Sequence, residues 1–214
     1  MEETKKLVGF YNYTVVLTYF GMLMGFTGIT LLPEGRVWEA LLCLLLAGVC
    51  DMFDGAIAAT RERSRHEKSF GIQIDSLSDL ICFGVLPALM VYELSGKTGF
   101  GFLAGAIYVL CALIRLAYFN VMEEERQTRE EGKRRFYLGL PVTSIALIFP
   151  LCHLVQEELL LNHFALYPWM AVGTAAAFLL PIRVKKPYLP GKIGIAFMGL
   201  LEFVILVAGT VFEV

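Results

Sequence analysis

The chain has 214 residues, 57% hydrophobic and 18% charged, with a formal net charge of −2 and a mean hydropathy of +0.66. A water-soluble domain carries about 25% charge, and here the apolar residues come in runs of about twenty, enough to cross a bilayer core of about 30 Å. An ordinary soluble enzyme is excluded; so is a β-barrel, whose short strands would alternate. What remains is an all-α polytopic membrane helix bundle, one integral-membrane domain over residues 1–214, with membrane lipids around it and no nucleic-acid partner expected.

Seven apolar spans are predicted, at about 12–32, 37–59, 72–92, 99–121, 138–156, 164–181 and 193–213, within a range of six to eight helices. Lys5 and Lys6 precede a first run too long for a signal h-region and lacking a small-x-small cleavage site, so it reads as an uncleaved helix. Its Gly21-x-x-x-Gly25 spacing allows close helix approach, read as packing within the chain rather than dimerisation. Leu32-Pro33-Glu34-Gly35 is a turn. The five cysteines, scattered in apolar runs without a C-x-x-C, read as small hydrophobes.

The second span ends on Asp51 and Asp54, about 60° apart on a helix at about 100° per residue, with Gly55 and Ala58 on their face. The third opens with Gly71 and carries Asp75 and Asp79, about 40° apart, with Ser78 and Cys82 alongside. Each ionised acid within a membrane helix costs about 2.5–3.5 kcal/mol or more, so four together need compensation. Divalent cations supply it; headgroup-level placement, or pairing with Arg61, Arg63, Arg65 and Lys68, is the bland alternative. Small residues beside the acids leave room for a ligand against the backbone, or for close packing. Pro87 frees the carbonyl of Phe83 and predicts a kink there.

Farther on, Arg115 sits about 9 Å inside the fourth span, at a depth like that of Asp79, as an anion ligand, as a counter-ion for one of the acids, or as a side chain that snorkels. The loop VMEEERQTREEGKRRF reads as an amphipathic helix or hairpin on the cytoplasmic face, and Gly139-Leu140-Pro141 opens the fifth span. His153 and Glu202 are isolated polar residues in apolar helices, read as interhelical packing; His66 and His163 have no ligand-like partner. With the N-terminus in the cytoplasm, every Lys and Arg except Arg36, Lys97 and Arg115 falls on that side. This predicts a multi-pass cell-membrane protein with its acids facing the cytoplasm.

Clustered carboxylates beside small residues point to metal-assisted phosphoryl chemistry. Two ions about 3.5–4 Å apart clamp the attacking and leaving oxygens of an in-line displacement, and Mg²⁺ or Mn²⁺ suits an all-oxygen ligand set. One carboxylate can also take the proton of an attacking hydroxyl.

Asp51-x-x-Asp54-Gly55-x-x-Ala58, followed by Gly71-x-x-x-Asp75-x-x-x-Asp79, resembles the signature of the CDP-alcohol phosphotransferase family. The resemblance implies attack of an alcohol on the β-phosphate of a CDP-activated substrate, with release of CMP. Carried over, Asp51, Asp54, Asp75 and Asp79 hold the metals, and Asp79 is also the catalytic base. Asp54, Gly55, Ala58 and Gly71 receive the nucleotide. The family's arginine after the alanine is here Ala59, which leaves Arg61 or Arg65 for its role, and the spacer over positions 60–70 is somewhat long. Asp75-Ser76-Leu77-Ser78-Asp79, Phe83-Gly84-Val85-Leu86-Pro87-Ala88, Arg115-Leu116-Ala117 with Phe119-Asn120, and Gly139-Leu140-Pro141 resemble the phosphatidylserine-forming branch, although Tyr118 stands where arginine is common. That implies CDP-diacylglycerol as donor, L-serine as acceptor, and a homodimer. Arg115, Asn120 and Ser78 are the candidates for the lipid phosphate or serine. Another acceptor, glycerol 3-phosphate or inositol phosphate, would call for a denser basic pocket. A cation transporter would spread its acids across the membrane depth.

Overall fold

The computed structural model describes residues 8–128, 136–159, 163–185 and 189–212, with Lys5, Lys6 and the loop at 129–135 outside them. Among the described residues seven helices form the bundle: α1 Tyr13–Glu34, α2 Val37–Ala58, α3 Arg65–Leu94, α4 Gly99–Thr128, α5 Ile145–Leu159, α6 His163–Leu179 and α7 Leu189–Phe212. The first four and the 194–211 stretch of α7 are long and apolar enough to span a membrane, whereas α5 and α6 are shorter apolar helices. The chain is a multi-pass membrane protein built as an all-α bundle. One short antiparallel ladder joins β1 Phe136–Leu138 to β2 Arg183–Lys185, tying the entry of α5 to the exit of α6.

Small residues set the helix spacing. A Cβ on Gly25 would lie 3.1 Å from the Cα of Cys82, and one on Gly21 would lie 3.3 Å from the Cβ of Cys50. The Gly-x-x-x-Gly face therefore packs α1 onto α2 and α3 inside the chain, as its spacing predicts. The core between the helices is apolar, filled by Leu41, Leu44, Phe83, Leu86, Met90, Ile145, Phe149 and Phe178. All five cysteines are free thiols.

Two features of α3 differ from the sequence expectation or refine it. The helix begins at Arg65 rather than at Gly71, because Ser64 and Glu67 close a reciprocal capping box. The Ser64 side chain accepts from the Glu67 N–H, and the Glu67 carboxylate accepts from the Ser64 N–H. Gly71 thus lies inside the helix. Deeper in the membrane, Leu80–Val85 winds as a π-helical turn just before Pro87, a known local response to a broken hydrogen-bond ladder. The carbonyl that Pro87 cannot satisfy, that of Phe83, accepts instead from the hydroxyl of Tyr108 on α4 at 2.7 Å. The polar cost of the proline is met from the neighbouring helix.

Candidate active site

The last turns of α2 and the first turns of α3 lie at one end of the bundle, and their acids converge. Asp51, Asp54 and Asp75 each offer an oxygen within 4.8 Å of the others. Asp54 and Asp75 are close enough to share a hydrogen bond, and Thr18 of α1 donates to Asp54 at 3.4 Å. Asp79, one turn deeper on α3, is buried and within electrostatic reach of all three, but it lies outside that tight trio. Among the described residues no ion pair reaches any of the four acids; the ion pairs involve Arg36, Arg61 and Lys97. Pairing with the basic link is therefore not what offsets their charge.

The trio fits a divalent cation. Oxygen ligands sit about 2.0–2.6 Å from Mg²⁺ or Ca²⁺, so ligands around one ion are separated by at most about twice that distance, as these are. The donor set is all oxygen, with no thiol or imidazole, which suits a hard ion. Beside it, a Cβ on Gly55 would meet nothing within 4 Å. That opening leaves a ligand access to the α2 backbone next to Asp51 and Asp54, while Ala58 is half-buried a turn below.

The basic link behaves differently from its sequence reading. Arg61 is exposed and its guanidinium is 3.7 Å from Glu67. Arg65 is exposed in the first turn of α3. Neither is brought to the acids. Arg63, which the motif did not single out, is half-buried, and its Nη1 lies 3.1 Å from where a Cβ of Gly71 would be.

Arg115 is buried. A Cβ on Gly84 would lie 3.6 Å from the Cβ of Ala112, and Ser76 donates to Asn120 at 2.7 Å. Interpolating between these contacts of the antiparallel α3–α4 pair sets Arg115 near the level of Asp79. Its Nε donates to the carbonyl of Leu140 at 3.4 Å. The Gly139 φ of +79° and the contact a Cβ there would make with the Phe178 carbonyl, 2.6 Å, require glycine at that crossing. Two segments distant in sequence, around Arg115 and Gly139-Leu140-Pro141, thus meet in space. Asn120 is held by Ser76, one residue from Asp75. Ser78 turns the other way: its hydroxyl donates to the Thr18 carbonyl at 3.3 Å and touches Cys82. Its role in this geometry is to seat α3 on α1, because its place on the helix faces α1 rather than α4.

The N-terminal Asn12-x-Thr14 resembles only loosely the opening motif of the family whose signature spans Asp51 to Asp79. In the structure the Asn12 side chain accepts from the Thr14 N–H and hydroxyl and donates to Glu67 at 3.3 Å. Tyr13 and Thr60 share a hydrogen bond of 2.9 Å, and the rings of Phe10 and Phe70 meet edge-on at 5.5 Å. The start of α1 therefore clamps the α2–α3 link. The readable signal was a capping-type Asn before a helix.

A multi-pass helical bundle with a carboxylate cluster at one end is the class that fold and site define. The chain belongs to the CDP-alcohol phosphatidyltransferase family, whose model matches residues 11–180. It is 32% identical over 157 residues to the CDP-diacylglycerol–serine O-phosphatidyltransferase of Saccharomyces cerevisiae, a match covering 68% of this chain and 56% of the yeast protein. It is 33% identical over 144 residues to the archaetidylserine synthase of Methanothermobacter thermautotrophicus, covering 66% of this chain and 58% of that protein. A further match, 24% identical over 176 residues, covers 81% of this chain and 88% of the CDP-diacylglycerol–serine O-phosphatidyltransferase of Bacillus subtilis. The chain spans somewhat over half the length of the first two relatives. No solved structure matches it.

Proposed function

We propose that the protein is a CDP-diacylglycerol–serine O-phosphatidyltransferase acting on the cytoplasmic side of the membrane as a single domain. The observation that carries the chemistry is the convergence of Asp51, Asp54 and Asp75 within 4.8 Å beside the open face of Gly55. The acceptor is carried by the relatives, whose names share serine. The cytoplasmic side is supported by the bias of Lys and Arg.

In this reading Asp51, Asp54 and Asp75 hold one or two Mg²⁺ or Mn²⁺ ions, with Asp79 completing the set. Ions held there would supply the positive charge to polarise the β-phosphate and to stabilise the oxygen that leaves with CMP. Asp79 takes the proton of the serine hydroxyl as its oxygen bonds to the β-phosphorus and the bond to CMP breaks. Burial of Asp79 keeps that proton transfer away from bulk water. Gly55 and Ala58 give the cytidine nucleotide access to the backbone. Arg115, level with Asp79, holds an anionic group of the lipid phosphate or of serine, and Asn120 keeps α4 in register with α3 beside it. The acyl chains remain among lipid-facing helices. Assembly as a homodimer, implied by the family resemblance, is read from the mass of the detergent-solubilised protein.

The test is an acceptor screen: purified protein, CDP-diacylglycerol, Mn²⁺ or Mg²⁺, and in turn serine, glycerol 3-phosphate and inositol phosphate, scored by CMP release. Serine alone should give CMP together with an equal amount of phosphatidylserine. CMP release with another alcohol and none with serine would reassign the acceptor. Metal flux without CMP release would favour the transporter reading.

A further inference from the structure

The α2–α3 link holds one cation whose position is not explained by its protein contacts. Arg63 is half-buried, with its Nε shielded from solvent and without a hydrogen-bond partner among the described residues. A guanidinium has five donors in a rigid fork, and leaving a buried donor unmade is unfavourable. Yet it is directed inward, with Nη1 over Gly71. It is not a counter-ion of the acids, because it forms no ion pair with them among the described residues.

Its placement is imposed by its neighbours. Glu67 is the hub: it closes the capping box with Ser64, accepts from Asn12 and pairs with Arg61. Tyr13 with Thr60, and Phe10 with Phe70, brace the two flanks of the same link. These contacts hold Arg61 outward on Glu67 and leave Arg63, two residues on, facing Gly71. Gly71 precedes Asp75 by one helical turn, about 6 Å along α3.

We propose that Arg63 is the guanidinium that engages the diphosphate of the CDP-linked substrate, and that Asn12 and Glu67 are positioning residues that aim it. The proposal rests on the CDP-alcohol reading above. With one phosphate beside the Asp51–Asp54–Asp75 trio, the other lies toward Gly71, where the unfilled donors of Arg63 meet its oxygens in charge-assisted hydrogen bonds. Gly71 suits this geometry: a Cβ there would lie 3.1 Å from Nη1, so glycine leaves the guanidinium room beside the helix. Arg63 thereby takes the place left by Ala59, from the link instead of from the end of α2.

The test is calorimetric titration of the detergent-solubilised full-length protein with CDP in the presence of Mn²⁺. Arg63→Ala should weaken CDP binding about tenfold or more, the scale of a lost hydrogen bond to a charged group. Arg63→Lys should recover only part of it, since a point charge lacks the planar fork. Arg61→Ala and Arg65→Ala should stay within about threefold of wild type, as exposed charges do. Asn12→Ala should weaken binding on its own but add nothing in the Arg63→Ala background, a coupling that mere loss of stability would not produce. Wild-type affinity in Arg63→Ala, with the loss appearing in Arg61→Ala or Arg65→Ala, overturns the assignment and leaves the enzymatic reading intact. Failure of the wild type to bind CDP at all overturns both.

Discussion

Two polar clusters in the bundle are built on opposite principles. In the second, between α5 and α6, Tyr167 donates to Gln156 at 3.0 Å and shares a 2.7 Å hydrogen bond with His153 Nδ1. All three side chains are buried, and aromatic rings close around them: Trp38 meets His153 edge-on and Phe149 stacks on Tyr167. That network satisfies itself. The acid trio does the reverse, gathering three carboxyl groups with one weak hydroxyl donor from outside, Thr18, and no ion pair to a cation among the described residues. In an apolar solvent a closed polar network is structure, whereas an open set of like charges calls for a ligand.

The contrast is tested first at the open cluster. Asp75→Asn removes a carboxylate common to the trio, and CMP release should fall by more than the roughly 10–100-fold typical of outer-shell metal partners. Asp79→Asn should abolish turnover while largely sparing binding of the CDP-lipid; wild-type turnover in that variant would remove its role as base. Chelation with EDTA should stop turnover reversibly, with Mn²⁺ or Mg²⁺ restoring it. At the closed cluster, Tyr167→Phe should cost about 1–3 kcal/mol of stability by removing the hydroxyl that His153 and Gln156 share, lowering the melting temperature in detergent while leaving turnover per folded molecule unchanged. A smaller loss, about 1 kcal/mol, is expected for Tyr108→Phe, which strands the Phe83 carbonyl at the π-turn. Glu202 belongs to neither cluster: it is buried on α7 with both oxygens unpartnered among the described residues. Glu202→Leu should therefore leave stability unchanged or raise it by about 1 kcal/mol; a large loss there would reveal a partner.

Much of this was legible in the sequence because the membrane makes polar residues conspicuous. Seven apolar runs predict seven helices, and four acids in two of those runs predict a meeting point. The Gly21–Gly25 face and the disturbance before Pro87 also follow from local chemistry. What could not be read was pairing between distant segments. Nothing near Pro87 in sequence names Tyr108 as the donor to Phe83, and nothing near Arg115 names Leu140. The start of α3 was misplaced because Ser64-x-x-Glu67, a capping signal, lay inside a stretch dominated by basic residues. The same oversight hid Arg63, which directly precedes that capping signal and brings its Nη1 over Gly71. Ser78 shares the turn of Asp75 and Asp79, yet only the packing of α1 shows that it faces Thr18.

The central claim is that Asp51, Asp54 and Asp75 form a metal site. Electron paramagnetic resonance of Mn²⁺ titrated into the solubilised protein tests it most directly. The wild type should bind Mn²⁺ stoichiometrically, at one or two ions per chain, and the Asp75→Asn variant should lose at least one of them. Identical Mn²⁺ binding in the two proteins would contradict the account.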